Sequence, residues 1–359
     1  MGSRDLGAFI DEAGARGHLR VERDLGNGFV ELRVSEAERR QALQDIRCIE
    51  DAAIEMLRNA RDAGARTVFL ATCRSGDVRL LTVVDDGEGI PSSMHEEVFA
   101  PRVTSKLDSF SEDDWGVHGR GMALYSIREN AEAAFVAASA PGNGCALRVE
   151  FLASRVPERK DQSTLPSLAK NAEGVWELGP GPRNIARSTA EFALASRERC
   201  TVYFGSPVEI AATLCAYGAR FAKSPLARSL SSQDAPVAKR LSLCADAAEF
   251  AACAQGLGLD VSLRSAYRIL QGGVAPLRPL LAVLASDTRA LEAGASKRAV
   301  GADLRGLRIA DEDLAAFSAA ARRAWRDLAE AYYLEPDVEP HVRVSRDEVR
   351  VTFPVRKQL

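Results

Sequence analysis

Glu55 and Asn59 lie four residues apart, with Asp62 about one turn further on, so that on a helix all three project from one face. An Asn in such a place can give Mg²⁺ a neutral oxygen, in an octahedron shared with phosphates and water. A carboxylate one turn earlier can polarise an attacking water. Taken alone, these residues read as the solvated side of an amphipathic helix. A second segment, Asp85-x-Gly87-x-Gly89, sets a carboxylate before two residues whose missing side chains allow a sharp turn and the approach of a planar ring. An Asp there can accept from an exocyclic amine, which selects adenine over guanine; alone, the segment reads as an ordinary tight turn. The third is Gly116-Val117-His118-Gly119-Arg120-Gly121-Met122-Ala123-Leu124, where glycines precede an apolar helix. Amides at a helix N-terminus bind phosphate through unsatisfied donors and the helix dipole. The segment follows a polar loop and not a strand, so a dinucleotide fingerprint fails its context, and no G-x-x-x-x-G-K-[ST] is present.

The elements that must position these residues are legible in the pattern. Residues 3–34 read as a short helix followed by an extended stretch over 29–34. Ser35 with Glu38 is a capping box, and the apolar spacing through Leu43, Ile46, Ile49, Ala53 and Leu57 predicts one helix running to Gly64. Two β-branched, apolar-rich runs, 67–73 and 78–84, flank a turn at 74–77, and the second leads straight into Asp85. A polar loop at 109–114 precedes a helix over 119–130. Strands are expected at 133–138 and 145–151, joined by the turn Pro141-Gly142-Asn143-Gly144. Residues 154–182 have no clear period and read as a linker. From Asn184 the chain is Ala- and Arg-rich with helical spacing, interrupted by a strand-like run at 201–204 and closed by alternating residues from His341 to Val355.

The 359 residues, 46% hydrophobic, suffice for two or three domains. Forty-seven Lys and Arg against 50 Asp and Glu give a formal charge of -3, so no global positive field draws the chain to nucleic acid or an anionic membrane. The seven cysteines are dispersed and form no C-x-x-C, which argues against a disulfide framework or a zinc knot and for reduced thiols in a cytoplasm. No run is apolar enough to span a bilayer, and no export signal is expected.

Together and in order, the segments resemble the boxes of the GHKL superfamily, the ATPase fold of DNA gyrase, the ninety-kilodalton heat-shock chaperone, histidine kinases and MutL. Residues 55–65 are similar to the first box, most of all in its MutL form; Val83-Val84-Asp85-Asp86-Gly87-Glu88-Gly89-Ile90 resembles the second, the glycine segment the third, and Gly142-Asn143-Gly144-Cys145 sits where a final G-x-G-T is expected. The resemblance covers roughly residues 29–151. It implies an α+β fold, a two-layer α/β sandwich of the Bergerat ATP-binding type over residues 35–153, with 1–34 as its N-terminal part and a mostly helical region of unknown role over 183–359. It also implies ATP and Mg²⁺ as cofactors. Glu55 becomes the general base, Asn59 the magnesium ligand, Asp85 the adenine-reading carboxylate, and Gly87 and Gly89 the turn beneath the base.

Asp62, Ile90, Thr104, Lys106, Gly116, His118, Gly119, Arg120, Gly121, Met122, Ala123, Leu124 and Cys145 complete the expected nucleotide contacts, with residues 116–124 closing as a lid. Thr104-Ser105-Lys106 resembles both the MutL lid and a histidine-kinase segment. Cys145 stands in place of the usual Thr, so a thiol replaces the hydroxyl the family places there. Two activities follow. One is ATP hydrolysis that drives lid closure and a conformational or self-association switch, with a protein partner or a second copy as the recipient. The other is transfer of the γ-phosphate to a protein, as in histidine or serine kinases, although His18 is the only histidine before Glu55. A non-hydrolysing ATP sensor is the third reading. Residues 256–270 resemble a helix-turn-helix with basic residues on its second helix, which keeps nucleic acid among the candidate partners.

Overall fold

The computed structural model describes residues 21–104, 111–113, 116–118, 121–171, 173–292, 309–332, 334–344 and 348–357. The short helix expected before residue 21 lies outside them. Strands β1 (Val21–Gly26) and β2 (Phe29–Leu32) form an antiparallel hairpin. Helices α1 (Glu36–Asp45) and α2 (Ile49–Asp62) follow. The capping box is present: Ser35 Oγ accepts the Glu38 amide and the Glu38 carboxylate accepts the Ser35 amide. The single helix expected over 35–64 is broken at residues 46–48. Cys48 is extended (φ −150°), the Arg47 amide donates to Asp51 Oδ2 (3.0 Å), and the Ile49 amide donates to the Pro157 carbonyl (3.0 Å). The apolar period continues through this kink because Ile46 and Ile49 bury into the same core on either side of it.

The hairpin of β3 (Thr67–Ser75) and β4 (Val78–Asp85) forms as its sequence predicts. After two 3-10 turns at Ser92–Met94 and Glu97–Phe99, β5 (Val103–Thr104) adds to β2, and β6 (Ser111–Asp113) pairs with β7 (Gly116–His118). Helix α3 (Ala123–Asn130) leads into β8 (Ala133–Ser139) and β9 (Cys145–Leu152). The segment read as a linker contains a small hairpin, β10 (Leu168–Lys170) with β11 (Trp176–Leu178). Beyond it come α4 (Ile185–Ala195), β12 (Thr201–Gly205), α5 (Pro207–Ala222), α6 (Ala247–Gly256), α7 (Leu263–Leu270), α8 (Leu280–Glu292) and α9 (Asp311–Tyr332). The alternating C-terminal residues form the hairpin β13 (His341–Val344) and β14 (Val349–Thr352).

The central sheet has the order β12-β3-β4-β9-β8, antiparallel except for the parallel pair β12 and β3. One of its two edge strands, β12, therefore comes from the Ala- and Arg-rich half of the chain. One face, through Val68, Leu70, Leu81, Val83, Val149 and Phe151, packs on α2, on Ile127 of α3 and on Phe192 of α4. The other face, through Phe69, Ala71, Val84, Ala138 and Ala146, packs on Ile210 and Leu214 of α5 and on Val237, Phe250 and Leu259. Successive strand residues point to opposite faces, so cover on both sides shows as continuous burial over residues 67–71 and 79–85 of these apolar-rich strands, where a one-sided sheet would alternate. The helices of the α/β segment, joined by α4, cover one face, and the rest of the helical half covers the other.

Candidate functional site

The apolar residues of α2 turn Ile49, Ala52, Ala53, Met56, Leu57 and Ala60 into the core, which leaves Glu55, Asn59 and Asp62 on its half-exposed side. Glu55 Oε1 accepts from Arg58 Nη1 at 2.5 Å, and the Arg58 side chain is itself only 6% exposed. The ion pair therefore fixes the carboxylate's orientation against a buried partner. Asp62 Oδ1 accepts from Arg61 Nε (2.9 Å), whose guanidinium lies 5.8 Å from the centre of the Phe192 ring. Asn59 differs: its side-chain nitrogen Nδ2 is buried with no hydrogen-bond partner. A buried amide nitrogen without a partner costs on the order of 1–3 kcal/mol.

Asp85 ends β4 with its backbone in register with Val68 on one side and Cys145 on the other, and it is 5% exposed. Its Oδ1 accepts the Gly87 amide (2.8 Å), which closes the turn beneath it. Gly87 packs against the end of α2: a Cβ there would lie 2.7 Å from the Ala63 carbonyl oxygen, which also accepts the Glu88 amide (2.9 Å). Asn59 and Asp85 are thus carried on elements whose ends touch. Gly89 adopts φ +72° and lies against the turn before β9, which is held to it by two bonds. The Gly142 amide donates to the Glu88 carbonyl (2.6 Å), and Ser139 Oγ accepts the Ile90 amide (2.7 Å) while donating to the Gly144 carbonyl (2.8 Å). Ile90 packs at the border of the core, and Cys145 is buried, its thiol pushed well up by that burial and secondarily by the Asp85 charge.

The glycine segment is anchored at its far end. Arg102 and Gly121 both have positive φ (59° and 67°), and the Arg102 amide donates to the Gly121 carbonyl (2.8 Å), tying the start of α3 to β5. Gly121 is consequently not helical, and the helix expected from 119 begins at Ala123. Met122 is buried at the N-cap, Ala123 and Leu124 are half-buried in the first turn, and no side chain caps them. Thr104 is half-buried on β5; Gly116 and His118 lie on β7. Lys106, Gly119 and Arg120 lie outside the described residues.

Sequence reading passed over the residues that hold these turns. Ser139 staples the two glycine turns through a hydroxyl that has no motif of its own. The Arg102 guanidinium pairs with the Glu38 carboxylate of α1, which Ser35's amide holds below its usual range, with help from Arg102. Asp86, invisible beside Asp85, accepts the Arg66 and Thr67 amides (both 2.8 Å) on Oδ1 and the Tyr217 hydroxyl (2.9 Å) on Oδ2. Only pairings distant in sequence reveal these roles.

A mixed sheet with a helix bearing Glu and Asn, a strand ending in Asp-x-Gly-x-Gly and a glycine-led helix defines an ATPase domain of the GHKL class. Residues 44–155 match the histidine kinase-, DNA gyrase B-, and HSP90-like ATPase family, and this segment of the chain is a domain of that family. It is similar to the DNA mismatch repair protein MutL of Thermus thermophilus, 42% identical over 83 residues, which are 23% of this chain and 15% of that protein. It is likewise similar to MutL of a Chelativorans species (42% over 73 residues, 20% of this chain and 12% of the relative) and of Rhizobium leguminosarum bv. trifolii (34% over 133 residues, 37% and 19%). The chain thus spans less than a fifth of the length of each of these relatives. No helix among the described residues is long and apolar enough to cross a membrane.

The donor set suits Mg·ATP. Among the described residues no group of three or more His, Cys, Asp or Glu could hold a metal, so an ion at Asn59 would not be caged by protein carboxylates alone and would share its shell with phosphates and water. That is the shared, partly hydrated shell magnesium prefers.

Proposed function

We propose that the GHKL domain binds Mg·ATP between α2, the Asp85 turn and the start of α3, and hydrolyses it to drive a conformational or self-association switch. The observation that carries this reading is the Asp85 carboxylate: it is nearly buried, held by the Gly87 amide, and set on a turn that abuts the helix of Asn59. In this reading Asp85 accepts from the adenine amine, with Gly87, Gly89 and Ile90 beneath the base and Cys145 behind it. Asn59 holds Mg²⁺, which neutralises phosphate charge, and Asp62 lies at the edge of the same site. Thr104, Lys106, Gly116, His118, Gly119, Arg120, Gly121, Met122, Ala123 and Leu124 enclose the phosphates as the lid closes. The uncapped first turn of α3 offers amides of the kind that bind phosphate.

Glu55 is the general base. It takes a proton from water whose oxygen attacks the γ-phosphorus, and the β–γ bridging oxygen leaves with ADP. The Arg58 pairing keeps that carboxylate in one orientation. The recipient of the switch is a second copy or a protein partner; the near-neutral charge gives no support for nucleic acid as the primary ligand.

The deciding experiment incubates the protein with γ-labelled ATP and Mg²⁺. Free labelled phosphate is expected. Label on a protein side chain would favour phosphotransfer, and ATP bound but unchanged would identify a sensor.

A further inference from the structure

Tyr217 lies on α5, outside the matched ATPase segment of residues 44–155, yet its hydroxyl reaches the residue next to Asp85. It donates to Asp86 Oδ2 at 2.9 Å and lies 3.2 Å from Thr67 Oγ1. The other Asp86 oxygen is engaged by the Arg66 and Thr67 amides, so this carboxylate has a hydrogen-bonded partner on each oxygen. The Tyr217 ring is fixed as well. It meets Phe69 edge-on at 5.2 Å (74°), and Tyr203 of β12 stacks on Phe69 at 5.0 Å (11°). Phe69 precedes Leu70 on β3, the strand whose Val68 pairs with Asp85.

The same helix braces the second glycine turn. A Cβ at Gly218 would lie 2.3 Å from Ser242 Oγ, so the glycine lets α5 close on residues 237–243, and the Val237 amide at the head of that segment donates to the Asn143 carbonyl (2.8 Å). The helical half therefore grips both turns that flank Asp85, one through a side chain and one through the backbone. Burial pushes the Tyr217 phenol above its ordinary value, so it remains a donor across the physiological range.

We propose that Tyr217 is a positioning residue for base recognition: by pinning Asp86 it sets the orientation of the neighbouring Asp85 carboxylate, and so fixes how strongly the domain discriminates for a 6-amino purine. The proposal rests on the reading of Asp85 as the acceptor of the base amine. A backbone turn held at both Asp86 oxygens cannot rotate about residues 85–87 without breaking a charge-assisted bond. Losing the Tyr217 bond leaves Asp86 held through Oδ1 alone and loosens that turn, while the phosphate-binding elements, α2 and α3, stay in place. The expected result is a loss of base selectivity with triphosphate binding retained.

The test compares ATP with purine riboside triphosphate, which lacks the 6-amine, by titration calorimetry on the full chain. Tyr217→Phe keeps the ring on Phe69 and removes only the hydroxyl. It should weaken ATP about three- to tenfold, the range of one hydrogen bond, and leave the analogue unchanged. Turnover at saturating ATP should stay within about twofold, because the bond acts on ground and transition states alike. Tyr203→Phe, a ring that stacks on Phe69 from β12, controls for packing and should alter neither affinity. Equal weakening of both ligands, or parental discrimination in Tyr217→Phe, would overturn the proposal. If the parent itself does not distinguish the two triphosphates, the assignment of Asp85 fails and the role of Tyr217 with it. If the parent distinguishes them and Tyr217→Phe does so equally well, Asp85 stands and Tyr217 alone is removed.

Discussion

Gly144 lies directly against Asp85: a methyl group at residue 144 would stand 2.1 Å from the Asp85 carbonyl oxygen, well inside van der Waals contact. Gly144 also has φ +81°, and Gly89, at φ +72°, faces the Ala140 carbonyl oxygen at the same 2.1 Å. The two glycine turns and the end of β4 are thus packed backbone to backbone. Gly142, two residues before Gly144, has φ +72° as well but nothing within 4 Å of its would-be Cβ.

This contrast separates conformational cost from close approach. Gly142→Ala carries only the left-handed backbone penalty and should destabilise by about 1 kcal/mol. Gly144→Ala adds displacement of the Asp85 backbone and should cost at least about 2 kcal/mol, with a matching drop in unfolding midpoint. Equal midpoints for the two variants in thermal denaturation would contradict the packing described.

Asp85→Asn keeps the size of the side chain and removes its charge. The amide can still accept from Gly87, so the turn should persist and the fold with it. ATP affinity should fall by on the order of 1–3 kcal/mol, the cost of a lost charge-assisted bond at a buried site. GTP, which presents a carbonyl where adenine has its amine, should compete poorly with the parent. Unchanged ATP affinity in a folded Asp85→Asn protein would remove the adenine assignment.

The parts of this site legible in the sequence are those whose chemistry is local. Helical spacing places Glu55, Asn59 and Asp62 on one side of α2, and the strand that runs into Asp85 is rich in apolar and β-branched residues, so both appear in the structure where their pattern puts them. The break between α1 and α2 was not legible, because the Pro157 carbonyl that takes the Ile49 amide comes from more than a hundred residues away. Gly121 read as the opening of a helix since glycine tolerates that position; its positive φ is imposed by the bond to Arg102. Tyr217 carries no signal at all, being one aromatic among the apolar residues of an amphipathic helix. Its contact with Asp86 exists only because β12 enters the sheet beside β3 and brings α5 with it.

Asn59→Ala tests the metal directly. The side chain has a buried nitrogen without a partner, so truncation removes an unsatisfied group and should leave the unfolding midpoint within about 1 kcal/mol of the parent. The gain in ATP affinity on adding Mg²⁺ should disappear, since no group of three or more His, Cys, Asp or Glu among the described residues could hold the ion in its place. Titrations with ATP in Mg²⁺ and in EDTA measure that gain. A variant that responds to Mg²⁺ as the parent does would refute the assignment of Asn59.

Glu55 decides between hydrolysis and simple binding. Its carboxylate is held by Arg58 at 2.5 Å, one turn before Asn59 on the half-exposed side of α2, so its position is set before any ligand arrives. General-base catalysis contributes about 10²–10⁴-fold, and Glu55→Ala should lower turnover by that order while preserving ATP affinity. Glu55→Gln, which keeps the shape and can still accept from Arg58, should lose turnover as severely. Loss of the base rather than of Arg58's orientation would then be the cause. Either variant should accumulate the ATP-bound, lid-closed state, in which amide exchange over residues 116–124 slows relative to the nucleotide-free protein. Parental hydrolysis rates in a folded Glu55→Ala protein would exclude the water-activating role, and label from γ-labelled ATP should then be sought on a protein side chain.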